Sequence, residues 1–144
     1  MAVELTQEQI DQWVAVSKVA HNARKWSVDG VDLAAKDAEM DAAREADKAD
    51  PAKGQEMMAV FGEAIGNVMV DGFLTVDGWV KMPEAFYPMH DARFGGHVIW
   101  DEASQKGIWD VVAPIYGTDG KMSKEAFMGM FGTMRSKIMP LVKA

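Results

Sequence analysis

Asp71-Gly-Phe-Leu-Thr-Val-Asp-Gly-Trp79 and Asp119-Gly-Lys-Met-Ser-Lys-Glu-Ala-Phe127 are two copies of one template. Each opens with Asp-Gly, continues with any residue, an aliphatic side chain and a hydroxyl, and reaches an aromatic after three mostly polar residues. Glycine takes φ > 0 without steric cost and so turns the chain sharply. The aliphatic residue is placed to enter a short strand paired with a neighbouring loop. The hydroxyl is placed to cap the outgoing helix, and the aromatic to pack its first turn into the core. A third, poorer copy, Asp29-Gly-Val-Asp-Leu33, needs one extra residue before its aliphatic position.

Outward from these loops the apolar spacing is helical. Thr6 with Gln9 three residues later reads as a capping box, and Ile10, Trp13, Val14, Ser17 and Ala20 keep one face of a helix running to about Ala23. A second helix, about Ala34 to Ala46, has few apolar positions (Leu33, Met40, Ala43) and reads as a surface helix. Asp50-Pro51 is a start signal for a third, which carries Met57, Met58, Phe61, Ala64, Ile65 and Val68. The spacing predicts helix from Val76 to Phe86, kinked or ended early by Pro83 and Pro88. Phe94-Gly-Gly-His97 reads as a loop, followed by a helix from Trp100 to about Tyr116 and a last one opening at Ser123. Alternating strand patterns of useful length are absent. The expected fold is all-α, about six helices in a single domain over residues 1–144.

The repeated template resembles the second half of an EF-hand loop and the start of its exit helix. Its glycines, Gly30, Gly72 and Gly120, are 42 and 48 residues apart with tryptophans nearby. That arrangement is similar to the sarcoplasmic calcium-binding proteins and the calcium-regulated photoproteins. The resemblance implies degenerate EF-hand helix–loop–helix units without the fourth hand of those families, since only 24 residues follow Gly120. Hands pair through their loops, so a third hand has to pair with a non-loop segment, stay single, or pair across a homodimer.

Calcium asks more of such loops than these residues offer. The ion takes about 6–8 oxygens, drawn from loop positions 1, 3, 5 and 9 and a bidentate Glu at 12. With Gly72 at position 6, the second loop offers Asn67, Met69, Asp71 and Thr75, then Gly78 at position 12. The third offers Ile115, Gly117, Asp119 and Ser123, then Ala126. The first begins with Lys25. Asp29, Asp71 and Asp119 therefore read first as turn residues that accept backbone N–H bonds. No cofactor is expected; if calcium binds weakly, the second loop is its place, with Asn67, Asp71 and Thr75 as ligands.

Composition removes whole classes of function. The 144 residues include no cysteine, which excludes thiol catalysis, disulfides, iron–sulfur clusters and cysteine-ligated zinc. Fifteen basic against 22 acidic side chains, a net charge of −7, argues against nonspecific nucleic-acid binding. No apolar run approaches the roughly 20 residues a membrane span needs, and the N-terminus lacks a signal peptide's basic and apolar regions, so a cytoplasmic location is expected. Phosphate-loop, dinucleotide and Gly-x-Ser-x-Gly patterns are missing.

Twelve methionines and five tryptophans remain to be accounted for. Methionine adapts to varied apolar partners. Trp13, Phe61, Trp79, Phe86, Trp109, Phe127, Met130 and Phe131 all fall on inward faces, where they form either ordinary core or an apolar pocket or groove for a hydrophobic small molecule or an amphipathic helix. Three functional readings follow: a degenerate EF-hand binding protein, a calcium buffer or sensor, and a small enzyme in which His90, Asp91, His97 or Tyr87 moves protons. His21, near the end of the first helix, suits that helix's dipole.

Overall fold

Helix starts are set by short polar side chains. In the computed structural model, which describes residues 3–144, Gln9 N–H donates to Thr6 Oγ1 (3.1 Å) and Thr6 N–H to Gln9 Oε1 (2.9 Å), opening α1 (Gln7–Asn22). Asp32 caps α2 (Leu33–Lys48), accepting from Ala34 N–H. Asp50 accepts from Ala52 N–H ahead of α3 (Pro51–Val68), whose first residue is the proline. Asp101 caps α6 (Glu102–Tyr116), and Ser123 caps α7 (Lys124–Thr133) by accepting from Ala126 N–H at 3.1 Å. Each cap satisfies donors that a helix start leaves orphaned.

Prolines shape the rest. The helix expected over 76–86 is α4 (Val76–Lys81) followed by a 3-10 turn, Met82–Phe86, containing Pro83. The chain then enters α5 (Tyr87–Phe94), which ends on Gly95 in the left-handed conformation at φ 74°. Near the C-terminus a π-type turn, Met134–Ile138, joins α7 to α8 (Met139–Lys143) just before Pro140, which has no N–H to give. The fold is all-α, with four two-residue strands among the described residues: β1 (Lys25–Trp26), β2 (Phe73–Leu74), β3 (Val98–Ile99) and β4 (Met122–Ser123). No helix among the described residues is long and apolar enough to cross a membrane.

Two compact units form. Unit 1 comprises Met1–Arg24, Val68–Lys81 and Trp100–Ala144; unit 2 comprises Lys25–Asn67 and Met82–Ile99. Unit 1 contains both full copies of the template. Asp71 and Gly72 have φ of 53° and 83°, and Asp119 and Gly120 have 54° and 76°. Two consecutive left-handed residues make a two-residue hairpin turn, for which Asp-Gly is a preferred pair. Val70 and Phe73 exchange backbone bonds at 2.8 and 3.0 Å across the first turn, and Thr118 and Lys121 at 2.9 and 3.2 Å across the second. The strands leaving the turns then pair antiparallel, Phe73 opposite Ser123 and Leu74 opposite Met122. Leu74 and Met122 are fully buried. Trp79 and Phe127, the terminal aromatics of the two copies, meet edge-on at 6.1 Å.

Unit 2 departs from the expected register. Its strand β1 lies before Gly30 rather than after it, and Leu33 begins α2 instead of entering a strand. The partner of β1 is β3, between the expected loop Phe94–His97 and the expected helix start at Trp100: Lys25 faces Ile99 and Trp26 faces Val98. The odd loop thus pairs inside the same chain, with the connection between α5 and α6.

Gly78 marks how closely the second loop is packed. A Cβ there would stand 2.7 Å from the Val68 carbonyl oxygen and 2.8 Å from Leu74 Cδ1. Gly78→Ala is therefore expected to destabilise by about 1–3 kcal/mol. Gly72→Ala, strained by its positive φ alone, costs about 1–2 kcal/mol. Denaturant unfolding measures both, and an unchanged midpoint for Gly78→Ala would refute the packing argument.

Candidate functional site

The eight apolar side chains assigned to a pocket or groove divide between the units. Trp13, Trp79, Trp109, Phe127 and Met130 lie in unit 1, each at most 8% exposed. Trp79 is 6.2 Å from Trp109, donates its indole N–H to the Gln105 carbonyl (2.9 Å), and helps fill the core. Phe131, half-buried, lies 6.0 Å from Phe127. Phe61 and Phe86 belong to unit 2; both are half-buried, with ring centres 6.4 Å apart. An open hollow on unit 1 has Trp109 and Pro114 in its wall beside Asp77, Lys106, Asp110 and Asp119.

Unit 2 gathers the chemistry. From Phe61 a ladder of rings runs through Phe86 to His90, also at 6.4 Å, and on to Phe94, met edge-on at 5.8 Å. Residues 86, 90 and 94 are four apart, so the helical repeat places three rungs on one face. Burial, with the charge of His97 second, lowers the pKa of the His90 imidazole; Asp91 pulls the other way. His90 is therefore neutral at pH 7.

Beside the ladder, Tyr87 stacks on His97 with ring centres 3.7 Å apart and planes 13° from parallel. Burial and then Glu84 push the Tyr87 phenol up. The Asp91 carboxylate can only accept, so His97 Nδ1–H donates to it at 2.7 Å. The backbone holds His97 as well: its N–H donates to Ser27 Oγ (2.9 Å), and Ser27 N–H donates to its carbonyl (2.9 Å). Gly96 makes this possible, since a Cβ there would stand 2.7 Å from Trp26 Nε1 and 2.8 Å from Ser27 Oγ.

Helix α2 has no buried residue and is tied to this cluster by polar contacts. Arg93 donates two bonds to the Asp47 carboxylate, at 2.8 and 2.9 Å, and holds its pKa below the ordinary value. Lys36 Nζ donates to the Phe94 carbonyl at 2.8 Å and lies 5.4 Å from the Trp26 ring centre.

The structure thus brings together three residues considered for proton transfer, Asp91, His97 and Tyr87, with His90 in the adjoining ladder. His21 belongs to unit 1, where its Nε2 accepts from Arg24 Nη2 at 3.0 Å. Asn67, Asp71 and Thr75 form no gathered ligand set. Asn67 is exposed near the end of α3, Asp71 sits on an exposed hairpin turn, and the Thr75 carbonyl accepts from Trp79 N–H. Among the described residues no three His, Asp or Glu side chains converge as a metal site. Gly78 and Gly117, at loop positions 12 and 3, have no room for a side chain: Val68 and Leu74 crowd the first, and Lys121 and Ala113 carbonyls the second. Sequence reasoning missed Ser27, Asp47, Arg93 and Gly96; only the Gly-Gly before His97 hinted at a close backbone approach.

Two outcomes check the site. Neutral His97 is expected as the Nδ1–H tautomer by nitrogen NMR, with Asp91→Ala releasing that preference. A mixed tautomer in the wild-type chain would contradict the Asp91 bond. Gly96→Ala is expected to lower stability by about 1–3 kcal/mol, since indole and hydroxyl must both move.

Compared with known proteins, the chain matches no protein-family model, no curated protein and no solved structure.

Proposed function

We propose that this chain is a binding protein of degenerate EF-hand type, and that unit 2 takes a basic amphipathic helix. One observation carries the reading: unit 2 joins a half-covered apolar face to nearly all the net charge. It contains twelve acidic and six basic side chains, a net −6 of the chain's −7, whereas unit 1 has ten and nine. Met57, Val60 and Phe61, on one stripe of α3, are only half-buried, as are Phe86, Met89 and His90; Met58 is 64% exposed.

Magnitudes favour a helix over a small molecule. Covering about 400 Å² of apolar surface is worth about 10 kcal/mol before the costs of association are subtracted. A small ligand needs concave enclosure to reach such an area, and the Phe61–Phe86 face is open. A unit whose net charge is −6 favours a partner carrying Lys or Arg, chiefly through encounter rate and specificity. The EF-hand likeness is consistent with this reading through its paired loops and methionine content. An enzyme using Asp91 and His97 is the second reading, favoured by their 2.7 Å contact alone.

The test is a calorimetric titration of the full chain with a Lys-rich amphipathic helical peptide, and with one in which each Lys is replaced by Glu. The basic peptide is expected to bind saturably and the acidic one at least tenfold more weakly. Phe61→Ala or Phe86→Ala is expected to cost about tenfold in Kd, roughly 1.4 kcal/mol. Equal affinity for both peptides, or no loss in either variant, would defeat the proposal; heat on adding calcium alone would favour a calcium-binding role instead.

A further inference from the structure

Resting on the docking face just described, we propose that His90 is a proton-operated latch on it: below neutral pH, protonation separates the Phe86–His90–Phe94 rungs and loosens unit 2's hold on a basic partner. The geometry makes an added charge costly. His90 stands between Phe86 and Phe94 at 6.4 and 5.8 Å and is half-buried. Its charged surroundings are mixed. From α2 come Arg44, paired with Asp41, and Asp47, paired with Arg93. From α5 come Asp91 and Arg93, and from the turn before β3 comes His97. Further off, Glu56 and Lys53 of α3 act on the Arg93–Asp47 pair, and Glu84 acts on Tyr87.

Several of these effects offset one another. Asp91 favours a cation at His90, but its Oδ1 is bonded to His97 Nδ1. Ring faces also attract cations, by about 0.5–1 kcal/mol at exposed sites. Burial is the largest influence on His90, and Arg44, Arg93 and His97 all add to it. The folded chain therefore binds this proton less readily than the unfolded chain does. Above about pH 6.5, the ordinary histidine value, His90 contributes no penalty; stability falls as pH drops through that value toward the lower folded one. A charged His90 also adds a cation to a face whose partner is basic.

Aromatic and amide NMR of the full chain from pH 7.5 to 5.0 tests the latch, on wild type, His90→Phe and His97→Gln. In wild type the Phe86 and Phe94 ring signals are expected to move with the His90 titration, and α5 amides to exchange faster below its midpoint. His90→Phe is expected to abolish both changes and His97→Gln to keep them. Rings that stay fixed while His90 titrates, or changes that persist in His90→Phe, would overturn the latch. With the basic peptide, affinity is expected to fall about tenfold from pH 7.5 to 5.5 in wild type and less in His90→Phe. Tight, pH-independent binding would also overturn it. If α5 opens but no peptide binds at any pH, the latch stands as a conformational device and the docking reading fails, along with the loosening of a partner proposed from it.

Discussion

The pairing of β2 with β4 is the constraint on which unit 1 depends. Each strand leaves a two-residue turn whose Asp and Gly both take positive φ. Burial holds the register between the two strands, since a slip of one residue would turn the buried side chains to the opposite face. In the observed register Leu74 and Met122 face each other across the pair, both fully buried. The hydroxyl after Met122 then caps α7, and the aromatics that end the two copies meet in the core. One local conformation, used twice, thus sets strand pairing, a helix start and core packing together.

Unit 2 is assembled on other terms. It has the same kind of two-residue pairing, but no residue of α2 is fully buried; Leu33, Met40 and Ala43 are half-buried, and charged side chains tie the helix, Asp47 to Arg93 and Lys36 to the Phe94 carbonyl. Exposed ion pairs are worth only about 0–1 kcal/mol each. A helix held this way has little resistance to displacement, and half-covered rings beside it are suited to a partner's side chains. The packed unit gives definition, while the polar-tied unit carries the apolar face and the net negative charge. That contrast gives the function proposed for this chain its physical basis.

Helix starts were legible in the sequence because they are local: Thr6 with Gln9, Asp50 before Pro51, and Ser123 each act within three residues of themselves. The Asp-Gly pairs were legible as turns, and the same pair is a hairpin signal. The β1–β3 pairing was not legible. Lys25 and Ile99 are far apart in the chain, neither two-residue strand carries an alternating pattern, and the loop before β3 lacks Asp-Gly. The candidate site was half legible. His90, Asp91 and His97 stood out as the few titratable groups of their region, but nothing in their spacing foretold the Tyr87 stack or the Ser27 clamp.

By itself, then, the sequence determined the all-α class, the caps, the turns and the aromatic that ends each template copy, because these follow from backbone sterics and hydrogen bonds within a few residues. Only the tertiary structure decided which inward-facing aromatics are closed core and which stay half-covered, because exposure depends on what packs against a face. Trp79 and Phe61 both sit on apolar faces of helices; the first is enclosed by Trp109 and Phe127, while the second meets the ring of Phe86 and remains half-buried. The −7 charge followed the same division. Its size was fixed by composition, but its concentration in unit 2 arose from which segments the fold gathered together.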